Sequence, residues 1–152
     1  MSEFYIIRHA HAVERSLWGK DDLERPLTKD GKQRARSAFK KLFKRLKPPK
    51  VIYTSEAVRS FETALILKKI TGAEIIKDKT LNPGADNLSY LTIIKSYDQN
   101  KPFAIIGHEP DISKFISFYV SENAINLRVK KGSICHIKNK CIHNFISQDV
   151  LL

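Results

Sequence analysis

Cysteine is nearly absent: Cys135 and Cys141 are the only two in 152 residues. That is too few for a disulfide framework, so a reducing, cytoplasmic setting is expected. Long apolar runs are missing too. None approaches the roughly 18 residues that cross a bilayer, so no membrane partner is expected. The opening Met-Ser-Glu-Phe-Tyr-Ile-Ile-Arg pairs an acidic residue with a very short apolar stretch, unlike a signal peptide. No internal repeat, low-complexity tract or linker interrupts the chain, which predicts one domain over residues 1–152. Acidic residues are scarce, 16 against 27 Lys and Arg, for a net charge of +11. Such a balance favours polyanionic partners or phosphorylated substrates. With 42% hydrophobic and 28% charged residues, the composition is that of an ordinary globular protein and excludes intrinsic disorder.

Much of the excess charge lies in Lys40-Lys41-Leu42-Phe43-Lys44-Arg45-Leu46-Lys47. Ala35, Phe39, Leu42, Phe43 and Leu46 recur there at helical spacing, with the basic residues on the other side. A solvated helix face outweighs a nucleic-acid patch as the explanation. No aromatic side chain is interleaved with the exposed basic ones to stack on bases.

Apolar runs and helical patterns alternate along the chain. Phe4-Tyr5-Ile6-Ile7 suits a buried strand, and the polar residues 10–27 a loop. Thr28 reads as the N-cap of a helix over residues 28–46, with Asp30 near its positive end. Pro48-Pro49 stops that helix because neither residue donates a backbone hydrogen bond. Val51-Ile52-Tyr53 is a second strand. Residues 56–70 read as a helix that turns Val58, Phe61, Leu65 and Ile66 to the core and closes at Gly72. Glu74-Ile75-Ile76 is a third strand, Asn82-Pro83-Gly84 a turn, and residues 88–97 a short helix. Pro102-Phe103-Ala104-Ile105-Ile106 is a fourth strand, followed by a helix over residues 110–121. Residues 128–137 and 141–146 form a hairpin through Lys138-Asn139-Lys140. This order predicts an α/β protein, a three-layer α/β/α sandwich with a mostly parallel central sheet.

Ligands of such sheets bind beyond the carboxyl ends of the strands. Three apolar runs finish there in polar residues: Ile6-Ile7 in Arg8-His9, Ile52-Tyr53 in Thr54-Ser55, and Ile105-Ile106 in Gly107-His108. Arg59, in the first turn of the helix after the second strand, is long enough to reach the same edge. Each alone reads as a solvated loop residue; together the two histidines and two arginines converge as a candidate site. Guanidinium forks match phosphate oxygens in paired hydrogen bonds and keep their charge. A neutral imidazole is a nucleophile toward phosphorus, and like charge from two arginines favours the neutral form of His9. A protonated His108 would stabilise charge on the transferring oxygens.

Four blocks run in order from residue 8 to residue 110: Arg8-His9-Ala10; Arg25-Pro26-Leu27-Thr28 followed by Gly31; Ser55-Glu56-Ala57-Val58-Arg59 with Thr63-Ala64; and Gly107-His108-Glu109-Pro110. Together they resemble successive motifs of the histidine phosphatase superfamily, whose fold is phosphoglycerate mutase-like. Within it the chain is most similar to the small phosphohistidine phosphatases of the SixA type. The resemblance implies that His9 is transiently phosphorylated while Arg8, Arg59 and His108 hold the phosphate. Water then hydrolyses the phosphoenzyme, with no metal or other cofactor. It also implies a phosphorylated substrate, phosphohistidine in a protein first and a small phosphorylated metabolite second.

The chain departs from the family's pattern at Ala10, usually Gly, at Glu56, usually Pro, and at Thr80. Many relatives carry a general-acid Glu in place of Thr80, just before the Leu81-Asn82-Pro83-Gly84 turn. Losing that acid penalises alkoxide leaving groups most and phosphoramidates least. Glu109, also a candidate for substrate contact, and Asp86 are the possible substitutes. Only about 25 residues separate the third and fourth strands, too few for an extensive lid, which predicts an open, shallow pocket.

Three other readings compete. His9, His11 and His108 could bind a metal, but no Asp or Glu clusters with them and the arginines repel a cation. Cys135, His136, Cys141 and His143 could bind zinc, but their spacing across a hairpin fits no standard finger. A non-catalytic module could dock phosphorylated or nucleic-acid partners, yet binding alone would not require the nucleophile His9.

Overall fold

The computed structural model describes residues 2–97 and 100–152. Six strands, β1 (Glu3–Arg8), β2 (Val51–Thr54), β3 (Glu74–Lys77), β4 (Phe103–Gly107), β5 (Ile134–Lys138) and β6 (Cys141–Ile146), form one sheet in the order β3-β2-β4-β1-β5-β6. The first four are mutually parallel; β5 runs antiparallel to β1, and β6 antiparallel to β5. Helices α1 (Lys29–Leu42) and α2 (Val58–Thr71) cover one face, and α3 (Asn87–Ser96) and α4 (Asp111–Ser121) the other. The result is the mostly parallel three-layer sandwich that the alternation predicts.

β1 and β4 have strand neighbours on both sides and helices above and below, so their runs are apolar on both faces. Tyr5, Ile7, Ala104 and Ile106 pack toward α1 and α2, while Phe4, Ile6, Phe103 and Ile105 pack toward α3 and α4. Thr28 caps α1 by accepting the Gly31 N–H at 2.9 Å. A Cβ at Gly31 would collide with the His11 carbonyl, which ties this glycine to the loop that follows β1.

The structure differs from the sequence expectations in three elements. α1 ends at Leu42, and residues 43–46 turn away, with the Arg45 and Leu46 N–H groups both donating to the Leu42 carbonyl. The core face of α2 is Arg59, Ser60, Thr63, Ala64 and Leu67, whereas Val58, Phe61 and Ile66 are half-buried and Leu65 is 45% exposed. That helix buries polar side chains because they build the site, and apolar periodicity cannot register them. The hairpin strand begins at Ile134, and its turn is Asn139-Lys140, at φ 52° and 60°. Both values suit the type I′ geometry that matches strand twist. Residues 128–133 instead cross the carboxyl end of β1. Gly132 N–H donates to the carbonyls of Arg8 (3.1 Å) and His9 (2.9 Å), and Arg8 N–H donates to Ser133 O at 3.1 Å.

Candidate active site

Strand register brings the site together. Arg8 lies beside Gly107 in the β1–β4 pairing, and Thr54 beside Ile106 in the β2–β4 pairing. The next residues of all three strands therefore emerge at one edge: His9, whose N–H donates to Gly107 O at 3.2 Å, then Ser55 and His108. A side chain at Gly107 would strike the Tyr90 hydroxyl, so the strand can end this tightly only with glycine. A cleft of about 240 Å³ opens here, lined by Arg8, His9, Glu14, Arg15, Arg25, Arg59, Pro83, His108, Glu109 and Lys131. Three larger grooves elsewhere on the surface are lined mainly by aliphatic and lysine side chains, a fourth mainly by asparagine and serine, and none of them is lined by a histidine.

The two imidazoles lie with ring centroids 5.2 Å apart. His9 Nδ1 is 2.8 Å from the Ala10 carbonyl, which can only accept. Nδ1 therefore carries the proton, and in the neutral ring Nε2 holds the lone pair. Burial, reinforced by His108 and by Arg59 and Arg8, pushes the His9 pKa well below its ordinary value. The neutral form follows as the sequence suggests, although burial outweighs the arginines.

His108 differs from expectation. Burial first, then Arg59 and Arg8, push its pKa down to about 3, so the ring is neutral rather than protonated. Its Nε2 lies 2.7 Å from Ser55 Oγ and 3.2 Å from Ser60 Oγ. A hydroxyl can donate to a neutral ring or accept from a protonated one. When Ser55 donates, His108 presents a free Nδ1–H.

Arg59, 2% exposed, donates NH1 to the Asp22 carbonyl (2.7 Å) and NH2 to Asp22 Oδ2 (3.0 Å). Arg25 donates Nε to Asp22 Oδ1 at 3.0 Å and NH1 to Val13 O at 2.7 Å. Arg8 is fixed through NH1 to Val129 O at 3.0 Å. What remains is telling: Arg8 Nε, Arg59 Nε and His108 Nδ1 are buried donors with no partner among the described residues. Uncompensated burial of such groups is costly, and a multidentate anion in the cleft would satisfy them. Sequence reasoning placed Arg8, His9, Arg59 and His108 here and missed Asp22, Ser60, Val129 and Lys131. Arg25, quoted only within a motif, also lines the cleft.

The sequence matches the histidine phosphatase superfamily (branch 1) over residues 4–84. The chain belongs to that superfamily. No curated protein matches it in sequence. Among solved structures it is similar to the Agrobacterium tumefaciens protein assigned as the phosphohistidine phosphatase SixA. The TM-score is 0.83 at 20% identity, covering 96% of this chain and 97% of the other. The protein histidine phosphatase SixA complexed with tungstate gives 0.80 at 18% identity, covering 99% of both chains. Phosphoserine phosphatase from Entamoeba histolytica, in complex with 3-phosphoglyceric acid, gives 0.73 at 18% identity over 100% of both. At these identities the likeness is one of fold.

In this member of the superfamily, the candidates for a general acid separate. Asp86 caps α3, accepting the Ser89 N–H at 3.0 Å, and does not line the cleft, so it is removed from candidacy. Thr80 also lies outside the cleft and donates its hydroxyl to Asp78. Glu109 lines the cleft, with Oε1 accepting the Ser113 N–H at 2.8 Å. Glu14, unremarked in the sequence, is the other carboxylate in the lining. Glu56, at the family's proline position, exchanges hydrogen bonds with the Asn82 side chain.

The metal readings lose their geometry. Cys135 is buried toward α4, while His136, one residue on, sits across the sheet between Glu3 and Asn144, stacked on Tyr5. Alternation along β5 thus splits that cluster. Among the described residues, no group of three or more His, Cys, Asp or Glu is placed to hold a metal ion. Nor, among them, is any helix long and apolar enough to cross a membrane.

Proposed function

We propose that this histidine phosphatase cleaves a phosphoryl group from phosphohistidine in proteins, through a covalent intermediate on His9. The observation that carries the reading is the pairing of a lone pair at His9 Nε2 with unpartnered donors at Arg8, Arg59 and His108 in one cleft. Nε2 attacks phosphorus as the bond to the substrate's imidazole breaks; the electron pair of that bond stays on the leaving nitrogen, which takes a proton from solvent water at the open cleft. Water then attacks phospho-His9, releasing phosphate and restoring the neutral ring. Arg8 and Arg59 hold the non-bridging oxygens. His108 donates from Nδ1 and gains basicity as the dianion arrives, since an opposite charge favours its protonated form. Positive charge in the cleft stabilises the transition state, so the reaction needs no metal.

The substrate follows from the leaving group and from access. With Thr80 and Asp86 outside the cleft, no carboxylate occupies the family's usual acid position, which favours a phosphoramidate over an alkyl phosphate. The small cleft suits a protruding side chain better than an enclosed metabolite. The likeness to SixA phosphohistidine phosphatases, one of them complexed with the tetrahedral oxyanion tungstate, supports the same choice. Glu14 and Glu109 at the rim favour a second reading, a small-molecule phosphomonoesterase in which one of them protonates the alkoxide. Parallel rates on a phosphohistidine protein, a phosphoserine peptide and sugar phosphates decide between them. The proposal expects the highest kcat/KM on the phosphohistidine protein, and a preference for sugar phosphates would overturn it.

A further inference from the structure

α1 and α2 both begin at the catalytic edge of the sheet and run back to the opposite edge. The C-terminal turn Gln148–Leu151 packs on α1, with Lys41 Nζ donating to Leu151 O at 2.7 Å, but it contributes no residue to the space between the last turns of the two helices. Between their last turns lies a groove of about 820 Å³. Phe43, Pro48, Leu65, Ile66 and Ile70 provide its apolar surface; Phe43, Ile66 and Ile70 rest on the core beneath, and Leu65 is 45% exposed. Arg36, Lys40, Lys44 and Lys69 provide its charge, and no Asp or Glu lines it. None of these four cations is ion-paired among the described residues, whereas Lys32 and Arg34 on the same helix pair with Glu62 (2.9 Å) and Asp149 (3.2 Å). A neighbouring trough of about 630 Å³ shares Lys44, adds Lys41 and Arg45, and again has no acidic residue in its lining.

Solvated basic helices normally intersperse acidic residues, and exposed aliphatic side chains normally scatter singly. Here unneutralised cations and a continuous apolar floor share one concavity. We propose that the α1–α2 groove docks an acidic amphipathic helix of a partner protein. Its apolar face would lie on Phe43, Leu65 and Ile70, with its carboxylates toward Arg36, Lys40, Lys44 and Lys69. A helix lying between two helices makes this contact along its length. A flat bilayer would meet the cationic rim and leave the floor uncovered. A nucleic acid would gain little from a mainly aliphatic floor whose one aromatic ring, Phe43, is half-buried and packed edge-on against Tyr5. The inference does not rest on the phosphatase reading. Because the groove is at the far edge of the sheet, an occupant leaves the catalytic cleft open.

The test is an amide NMR titration of the full chain with a synthetic helical peptide carrying leucine on one face and glutamate on the rest. Controls are the same peptide with lysine for glutamate, phosphatidylglycerol vesicles and a DNA duplex, all at one salt concentration. The expected result is saturable shifts confined to residues 36–48 and 65–71. Binding should weaken roughly tenfold in Lys40→Glu/Lys44→Glu. It should weaken again in Leu65→Gln, with the turnover of both variants unchanged. Unchanged turnover also reports that they are folded. Shifts elsewhere, no saturation, equal binding of the lysine peptide, or tighter binding of vesicles or duplex would each overturn the proposal.

Discussion

Three arginines gather on Asp22, a residue outside the lining of the cleft. Its side chain receives Arg25 Nε and Arg59 NH2 at 3.0 Å each and faces Arg15 at 3.5 Å, while its carbonyl receives Arg59 NH1. Those bonds aim the Arg59 fork and leave Nε for a ligand. Asp22→Asn keeps the shape but weakens charge-assisted bonds, so kcat/KM should fall by roughly 10–100-fold. Steady-state kinetics against the parent chain check this. Gly132 acts through the backbone. At φ 73° it holds both the Arg8 and His9 carbonyls, and a Cβ there would press into the Gln148 side chain. Gly132→Ala should cost at least about 1–2 kcal/mol from the left-handed conformation alone and lower kcat by displacing His9. Urea unfolding and turnover of the same preparation would register both effects. Neither residue carries a local sequence signal. Asp22 acts through bonds to Arg59, 37 positions away, and the bond from Arg8 to Val129 spans 121.

At the scale of elements, strand ends were readable and helix faces less so. Short apolar runs ending in Arg-His, Thr-Ser and Gly-His mark β1, β2 and β4 because a central parallel strand must be apolar throughout and turn polar only where it leaves the sheet. Gly72 announces the end of α2, where it adopts φ 76°. Apolar periodicity does not mark the buried face of α2, because Arg59, Ser60 and Thr63 point inward there for the site. Thr63 shows what that inversion supports: its Oγ1 accepts the Ala10 N–H at 3.0 Å and donates to the Arg59 carbonyl at 2.7 Å. Thr63→Val fills the same volume but strands a buried N–H beside His9. Stability should drop by about 1–3 kcal/mol, measurable as a shift in the chemical denaturation midpoint at constant m. An unchanged midpoint would show that the loop after β1 does not depend on α2.

Across the whole molecule, the site makes folding sensitive to acid. His9 and His108 are neutral in the folded state, His108 with its pKa pushed down to about 3, while in the unfolded chain each takes up a proton near 6.5. Below that point the unfolded state binds more protons, so stability is lost as pH falls from about 6.5 toward the folded values, by up to roughly 1.4 kcal/mol per pH unit for each ring. Denaturation profiles collected just below neutrality, above the range of carboxylate titration, should show this slope. His108→Asn should remove its share. The central claim, that separated stretches of chain position His9 to accept phosphorus, has a more direct test. Rapid quench of the enzyme with a labelled phosphohistidine protein, followed by peptide mapping under alkaline conditions, should recover acid-labile phosphate on His9. None should be recovered from His9→Ala, with turnover reduced at least about 10³-fold. Turnover that persists without His9, or label on another residue, would contradict the account.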